Sequence, residues 1–191
     1  MMILDDCITQ EYQDHIKTTL TSGSFPWFYL SDITGGKNNL SNQQRPGMVH
    51  FFASKSVRNS NFYPMILPIV EAAEKKLNKK FSEIISAKTF MQLPLSKEIV
   101  GRNMIDTFHI DLKINHTVIL YYVFDSDGKT ILTDREYEYG MPETMDVSDS
   151  YKIIKRVSPK QGRILTFDGK HYHTAMQPRK NVRCVININV V

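Results

Sequence analysis

His109, Ile110 and Asp111 stand inside the run DTFHIDLKINHTVILYYVFDSDGKT, residues 106–130, which is rich in β-branched and aromatic side chains. In an extended segment successive side chains point to opposite faces. His109 and Asp111 would then project together, while Phe108, Ile110 and Leu112 turn into apolar packing. An imidazole beside a carboxylate is either half of a metal site or a hydrogen-bonded structural pair, and the tripeptide alone does not choose between them. Far downstream, GRILTFDGKHYHTAMQP offers a strand, an Asp-Gly turn and two more histidines, His171 and His173. Either could complete a set of two imidazoles and one carboxylate, which binds one side of a metal and leaves the opposite positions open for reactants.

The last segment, VRCVININVV, adds a charge where charge is costly. As a strand it puts Cys184, Ile186, Ile188 and Val190 on one apolar face and Arg183, Val185, Asn187 and Asn189 on the other. An unpaired arginine buried there costs on the order of several kcal/mol. A carboxylate bound by both arms of the guanidinium would relieve that cost. An antiparallel layout brings Arg183 toward the far end of a ligand whose near end sits on the metal.

His109-X-Asp111, then His173, then Arg183 together resemble the signature of the Fe(II)- and 2-oxoglutarate-dependent dioxygenases, in particular prolyl-hydroxylase-like members of small bacterial and phage type. HTVILYYVFDSDGKTIL resembles the LYYVNDSDGDT type of segment in those proteins, and FDGKHYHTAMQP with RCVININV resembles their FDG…YHT…P…R…VIN ending. The likeness covers residues 104–190 and extends only loosely to the first half. It implies a double-stranded β-helix, a jelly-roll or cupin-like barrel. It further implies that His109, Asp111 and His173, rather than His171, bind Fe(II) and form the catalytic centre. Arg183 would pair with the distal carboxylate of 2-oxoglutarate, Tyr122 would reach the same carboxylate, and Thr130 and Asn187 would line the cosubstrate pocket. The implied reaction consumes O2 and 2-oxoglutarate, releases succinate and CO2, and hydroxylates a peptidyl (including prolyl) or small-molecule substrate. Lys129 departs from the pattern, since an acidic residue is common before Thr130. The alternative is a cupin-like metal- or ligand-binding module without oxidation, which has no use for Arg183. A zinc hydrolase would want a further carboxylate as general base beside Asp111.

The elements that would hold these residues follow from periodicity. Ile8, Tyr12, Ile16 and Leu20 recur every four residues and mark the buried stripe of an amphipathic helix ended by TSGS. Aromatics and turn formers follow, with a polar loop as their second half. Trp27, Phe28 and Tyr29 read as packing residues. Pro68 suits the first turn of a second helix, with Ile66, Ile69, Val70, Ala73, Leu77 and Phe81 on its buried side and four lysines, Lys75, Lys76, Lys79 and Lys80, in solvent. From residue 82 the rhythm becomes that of strands: 83–92, 105–112, 117–124, 129–133, 151–157, 162–167 and 182–190. The expectation is a mainly β fold with flanking helices, one domain over 1–191, helical support over 1–81 and the β core over 82–191. An acidic stretch between Asp134 and Ser150 reads as an exposed loop.

The 191 residues, about 41% hydrophobic, are enough for one sizeable core. A net charge of +4, from 24 basic and 20 acidic side chains, is too mild to argue for nucleic acid. Only two cysteines occur, which fits a reducing compartment. MMILDDCITQ lacks the basic leader and long apolar stretch of a signal peptide, and no apolar run approaches the roughly 20 residues of a membrane span. A cytoplasmic protein with no membrane partner is expected.

Overall fold

In chain order the elements are β1 (Met2–Leu4), α1 (Gln10–Thr21), β2 (Phe28–Leu30), β3 (Gly47–Ser54), β4 (Val57–Arg58), a single 3-10 turn (Tyr63–Ile66), α2 (Leu67–Leu77) and β5 (Ile84–Gln92). They continue as β6 (Phe108–His109), β7 (Thr117–Tyr122), β8 (Thr130–Glu136), β9 (Thr144–Met145), β10 (Ile153–Val157), β11 (Ile164–Asp168), β12 (His171–Ala175) and β13 (Arg183–Val190). The computed structural model describes residues 1–33, 45–96, 104–145 and 150–191.

The strands form two antiparallel sheets. The larger runs β1-β11-β7-β13-β5-β3-β2, with β4 added beside β3, and the smaller runs β10-β8-β12-β6-β9. They face each other as a jelly roll. Among the described residues no ladder joins an edge of one sheet to an edge of the other, so the expected barrel is an open two-sheet arrangement instead of a closed one.

Three apolar clusters follow from strand alternation. Cys184, Ile186, Ile188 and Val190 of β13 join Ile119 and Tyr121 of β7 on the outer face of the large sheet, where Ile16 and Leu20 of α1 and Ile69 and Ala73 of α2 cover them. The other face of the same strands, with Val118, Leu120, Tyr122 and Val185, meets Leu132 and Val157 of the small sheet. Phe108, Ile110, Ile131, Met145 and Tyr172 pack on the outer side of the small sheet. At about 25 cal/mol per Å2 of apolar area, burial of this kind is the main favourable term for the fold. β13, central and buried at all eight positions, belongs to two of the clusters at once.

Both helices form where periodicity places them. Thr9 caps α1 by accepting a hydrogen bond from the Tyr12 amide at 3.3 Å. α2 is shorter than the apolar stripe suggests, because Asn78 adopts a left-handed conformation (φ 49°) and ends it. Phe81 therefore packs on the core from outside the helix.

The helical support expected over residues 1–81 is joined by strands. β1 to β4 lie in that span and all belong to the large sheet. β1 is held at the edge by Arg163, whose Nε and Nη2 each reach the Asp5 carboxylate at 2.8 Å. Trp27 packs on the core as expected and donates to the Leu20 carbonyl at 2.9 Å, whereas Phe28 and Tyr29 are exposed on edge strand β2. The segment 105–112 shortens to the two-residue β6, with Ile105 bridged separately to Met176. β12, absent from the expected strands, follows the Asp-Gly turn directly. Most of the polar loop, residues 34–44, lies outside the described residues, as do residues 146–149 of the acidic stretch. The described part of that stretch is not all loop: Asp134–Glu136 end β8, and Thr144–Met145 form β9.

His50 of β3 shows how a buried titratable group couples this fold to pH. Its Nδ1 donates to the Pro26 carbonyl at 2.9 Å, so its Nε2 accepts from the Ser60 hydroxyl at 2.8 Å. Burial lowers its pKa below the usual 6.5, opposed by the Pro26 hydrogen bond. The unfolded chain thus takes up this proton more readily than the folded one. The stability tied to neutral His50 is complete above about pH 6.5 and is lost as pH falls through the folded pKa. Urea denaturation should show a steeper loss of stability between pH 7 and 5 for the wild type than for His50→Gln; parallel slopes would remove His50 as a cause.

Candidate metal and anion site

A cavity of about 290 Å3 opens between the two sheets. Its walls include Phe90, Leu120 and Val185, and its polar groups converge from both sides. A shallower groove of about 610 Å3 near Phe28, His50 and Phe62 gathers no comparable set of donors.

The small sheet and the segment after β6 contribute three groups that could hold a metal ion. His109 of β6 pairs directly with His173 of β12 in the ladder, which sets the two imidazoles side by side with centroids 4.7 Å apart. Asp111 lies just beyond β6, and its Oδ2 approaches His173 Nε2 to 3.5 Å. One ligand atom from each of His109, Asp111 and His173 falls within 4.8 Å of the others.

The histidine tautomers are set by the backbone. Nδ1 of His109 donates to the Thr107 carbonyl at 3.2 Å, and Nδ1 of His173 donates to the His171 carbonyl at 3.1 Å. A carbonyl can only accept, so each Nδ1 carries a proton and each Nε2 is the nitrogen left to face a metal. Burial first, then the neighbouring His173, lowers the His109 pKa to about 4, which keeps the ring neutral near pH 7. Burial opposes the charge on Asp111, yet its contacts with His173 and Lys88 hold its pKa well below the usual carboxylate range. Asn187 of β13 steadies it by donating to Oδ2 at 3.0 Å, and accepts in turn from Asn189 at 3.1 Å. Two imidazoles held through their Nδ1 atoms and one ionised, oriented carboxylate suit a divalent transition metal.

His171 is not part of this cluster. The β12–β8 register shifts between His171 and His173, and His171 Nε2 lies 3.7 Å from Glu136 instead. His116 is structural: its Nδ1 donates to the Ile114 carbonyl at 2.7 Å, and its ring fills the space a side chain at Gly169 would need.

The large sheet supplies a cation at the other end. Arg183 is 5% exposed and lines the cavity. Its Nε donates to the Gly128 carbonyl at 2.9 Å, Nη1 to Gln92 Oε1 at 2.9 Å and Nη2 to Thr130 Oγ1 at 3.0 Å. All three acceptors are neutral, and among the described residues no carboxylate pairs with it. Burial lowers its pKa, opposed by the ionisable groups of Tyr122 and Cys184.

Tyr122 is the residue expected to reach the distal carboxylate of 2-oxoglutarate. It is wholly buried in the interior cluster, and its hydroxyl donates to Thr130 Oγ1 at 2.8 Å. Thr130 and Asn187 do line the cavity.

Four residues that matter here carry no motif. Gln92, through Nε2, donates to Asp106 Oδ2 at 3.0 Å, and Asp106 forms a buried ion pair with Arg45. Lys88, also on β5, stands 3.8 Å from Asp111 Oδ1. The available signal was alternation in IISAKTFMQ, which puts Lys88, Phe90 and Gln92 on one face.

Two facing antiparallel sheets with this cavity between them have the fold of the 2-oxoglutarate/iron(II) oxygenases. Among the similar solved structures is an oxidoreductase of the 2OG-Fe(II) oxygenase family from Burkholderia pseudomallei, with 11% identity, TM-score 0.65, and 99% of this chain and 84% of that chain covered. A Trichoplax adhaerens prolyl hydroxylase, solved with a hypoxia inducible factor oxygen degradation domain peptide fragment, matches at 13% identity and TM-score 0.59, covering 99% of this chain and 82% of that chain. The epimerase SnoN, solved with Fe3+, alpha ketoglutarate and nogalamycin RO, matches at 6% identity and TM-score 0.67, covering 100% of this chain and 78% of that chain. At these identities the likeness is one of fold. No protein-family model matches the chain, and no curated protein matches it in sequence.

Gln92 gives this geometry a direct check. Gln92→Leu would leave Arg183 Nη1 and Asp106 Oδ2 each short of a buried partner, at a cost of about 1–3 kcal/mol per group. Chemical denaturation should show that loss, and a variant as stable as wild type would show that Gln92 does not order the site.

Proposed function

We propose that the chain is a non-haem Fe(II)- and 2-oxoglutarate-dependent oxygenase that hydroxylates a peptidyl side chain, prolyl included, or a small molecule. The observation that carries this reading is Arg183, a buried cation with only neutral acceptors around it, in the same cavity as the His109, Asp111 and His173 donors. A metal-binding module without oxidation would not need a buried cation opposite its metal.

In this reading His109, Asp111 and His173 hold Fe(II). Arg183 receives the distal carboxylate of 2-oxoglutarate, for which it keeps guanidinium protons not engaged by Gly128, Gln92 or Thr130. Thr130 assists: its oxygen already accepts from Tyr122 and Arg183, so its own proton is left to donate to a ligand oxygen. Tyr122 acts through Thr130, as a positioning residue. Asn187 holds the orientation of Asp111. Leu120, Val185 and Phe90 wall the space between the two ends and limit water there. The bound Fe(II), with 2-oxoglutarate and O2, supplies the oxidising power for C–H hydroxylation, with release of succinate and CO2.

The whole 191-residue chain acts as one catalytic domain in this reading, supported by the first 81 residues contributing both helices and four strands to the large sheet and its core. A cytoplasmic setting is consistent with two free cysteines, Cys7 and Cys184. No helix among the described residues is long and apolar enough to cross a membrane. Both peptide and small-molecule substrates find support, since the Trichoplax hydroxylase was solved with a peptide and SnoN with nogalamycin RO.

Fe(II) and 2-oxoglutarate added without oxygen to metal-free protein should produce a weak visible charge-transfer band. Asp111→Ala should abolish it. Arg183→Ala should require at least about 30-fold more cosubstrate, as expected for removing one partner of a buried charged pair. Tight iron binding with no band would sink the 2-oxoglutarate reading.

A further inference from the structure

The cavity holds a second cation that the metal and cosubstrate do not use. Lys88, Phe90 and Gln92 face it from alternate positions of β5. In the β5–β13 ladder Gln92 stands opposite Arg183, and Lys88 stands opposite Asn187. Those two levels are about 13 Å apart, at roughly 3.3 Å per residue of strand.

Each cationic head is anchored at its own level. The Arg183 guanidinium is tied to Gln92, Gly128 and Thr130. The Lys88 ammonium lies 5.0 Å from the Phe90 ring centroid and 3.8 Å from Asp111 Oδ1, the same carboxylate that Asn187 holds through Oδ2. A 2-oxoglutarate with its distal carboxylate at Arg183 would give its other end to the metal, which leaves the Lys88 ammonium, 3.8 Å from Asp111 Oδ1, to a different ligand.

Lys88 is also short of partners. Its nearest carboxylate oxygen, at 3.8 Å, is beyond hydrogen-bonding distance, and among the described residues no oxygen accepts a hydrogen bond from its ammonium. Its side chain is 28% exposed, so the head group sits at the accessible part of the cavity. Once a metal takes up the charge of Asp111, Lys88 becomes a cation beside a cation, and a bound anion is what restores the balance.

We propose that Lys88 anchors a carboxylate of the prime substrate, which makes that substrate a carboxylic acid oxidised close to its acidic group. The acid is either a free small molecule or an acidic side chain of a peptide. This inference rests on the oxygenase reading above. The simpler role, neutralising Asp111, would make Lys88 affect metal affinity without discriminating among organic ligands.

The test uses binding to the full chain, loaded with redox-inert Zn(II) and saturated with the unreactive cosubstrate analogue N-oxalylglycine. Calorimetry then compares free amino acids and short dicarboxylic acids with their amides, and blocked tripeptides centred on Asp or Glu with those centred on Asn or Gln. At least one acid should bind about 10-fold or more tightly than its amide. Lys88→Met should erase that preference while changing N-oxalylglycine affinity by no more than about twofold. The arm that responds tells a free acid from a peptide side chain. Equal binding of acids and amides, binding of no acid, or a preference that survives in Lys88→Met would each overturn the proposal. Failure of the wild type to take up N-oxalylglycine would instead overturn the oxygenase reading, and this inference with it.

Discussion

A guanidinium buried among neutral oxygens is the constraint on which the rest of the site depends. Arg183 keeps its charge only while each acceptor is held in place, and each is held by something further out. Asp106 can only accept, so it turns the Gln92 amide nitrogen toward itself and the oxygen toward Arg183. Arg45 in turn neutralises Asp106. Thr130 is fixed by Tyr122. Gly128 must remain glycine, because a Cβ there would come within 2.9 Å of Arg183 Cδ and 2.8 Å of the Met176 carbonyl. The neutral set of acceptors around Arg183 among the described residues is thus arranged from several directions.

The two sheets divide the chemistry between them. The large sheet, with long ladders and helices packed on its outer face, carries Arg183, Asn187 and Lys88. The small sheet carries the candidate metal-binding histidines, His109 and His173, on much shorter strands. β6 is only two residues long, and its one ladder pair with β12 is the pair of histidines itself. The outward-facing Phe108 and Ile110 compensate for the missing hydrogen bonds by packing with Ile131, Met145 and Tyr172. His109 and Asp111 are consequently held by side-chain packing on the far side of their own sheet.

Much of this could be read in the sequence, for identifiable reasons. His109, Asp111 and Arg183 were visible because alternation assigns each a face, as it did along β13, while the choice of His173 over His171 came from the resemblance. The two helices announced themselves through apolar stripes. What stayed hidden depends on partners far along the chain. Gln92 means nothing until Arg183, 91 residues later, lies beside it. The short β1, β2 and β4 have too few residues for a periodic signal and exist because a neighbouring strand offers hydrogen bonds. The contact of the Tyr122 hydroxyl with Thr130 was not legible, because the course of the chain through the intervening turn decides where Thr130 stands.

β13 carries one more consequence. Its eight residues are buried on both faces, with polar groups toward the cavity and apolar groups toward the helices. A slip of one residue would exchange the faces, drive the Arg183 charge into the apolar layer beneath α1 and α2, and offer the Cys184 thiol, whose pKa is pushed up to about 12 mainly by burial, in its place. The strand therefore tolerates neither a single-residue insertion nor a deletion. Length variation in descendants of this chain has to collect in the connections, while β13 behaves as a ruler marked only in steps of two.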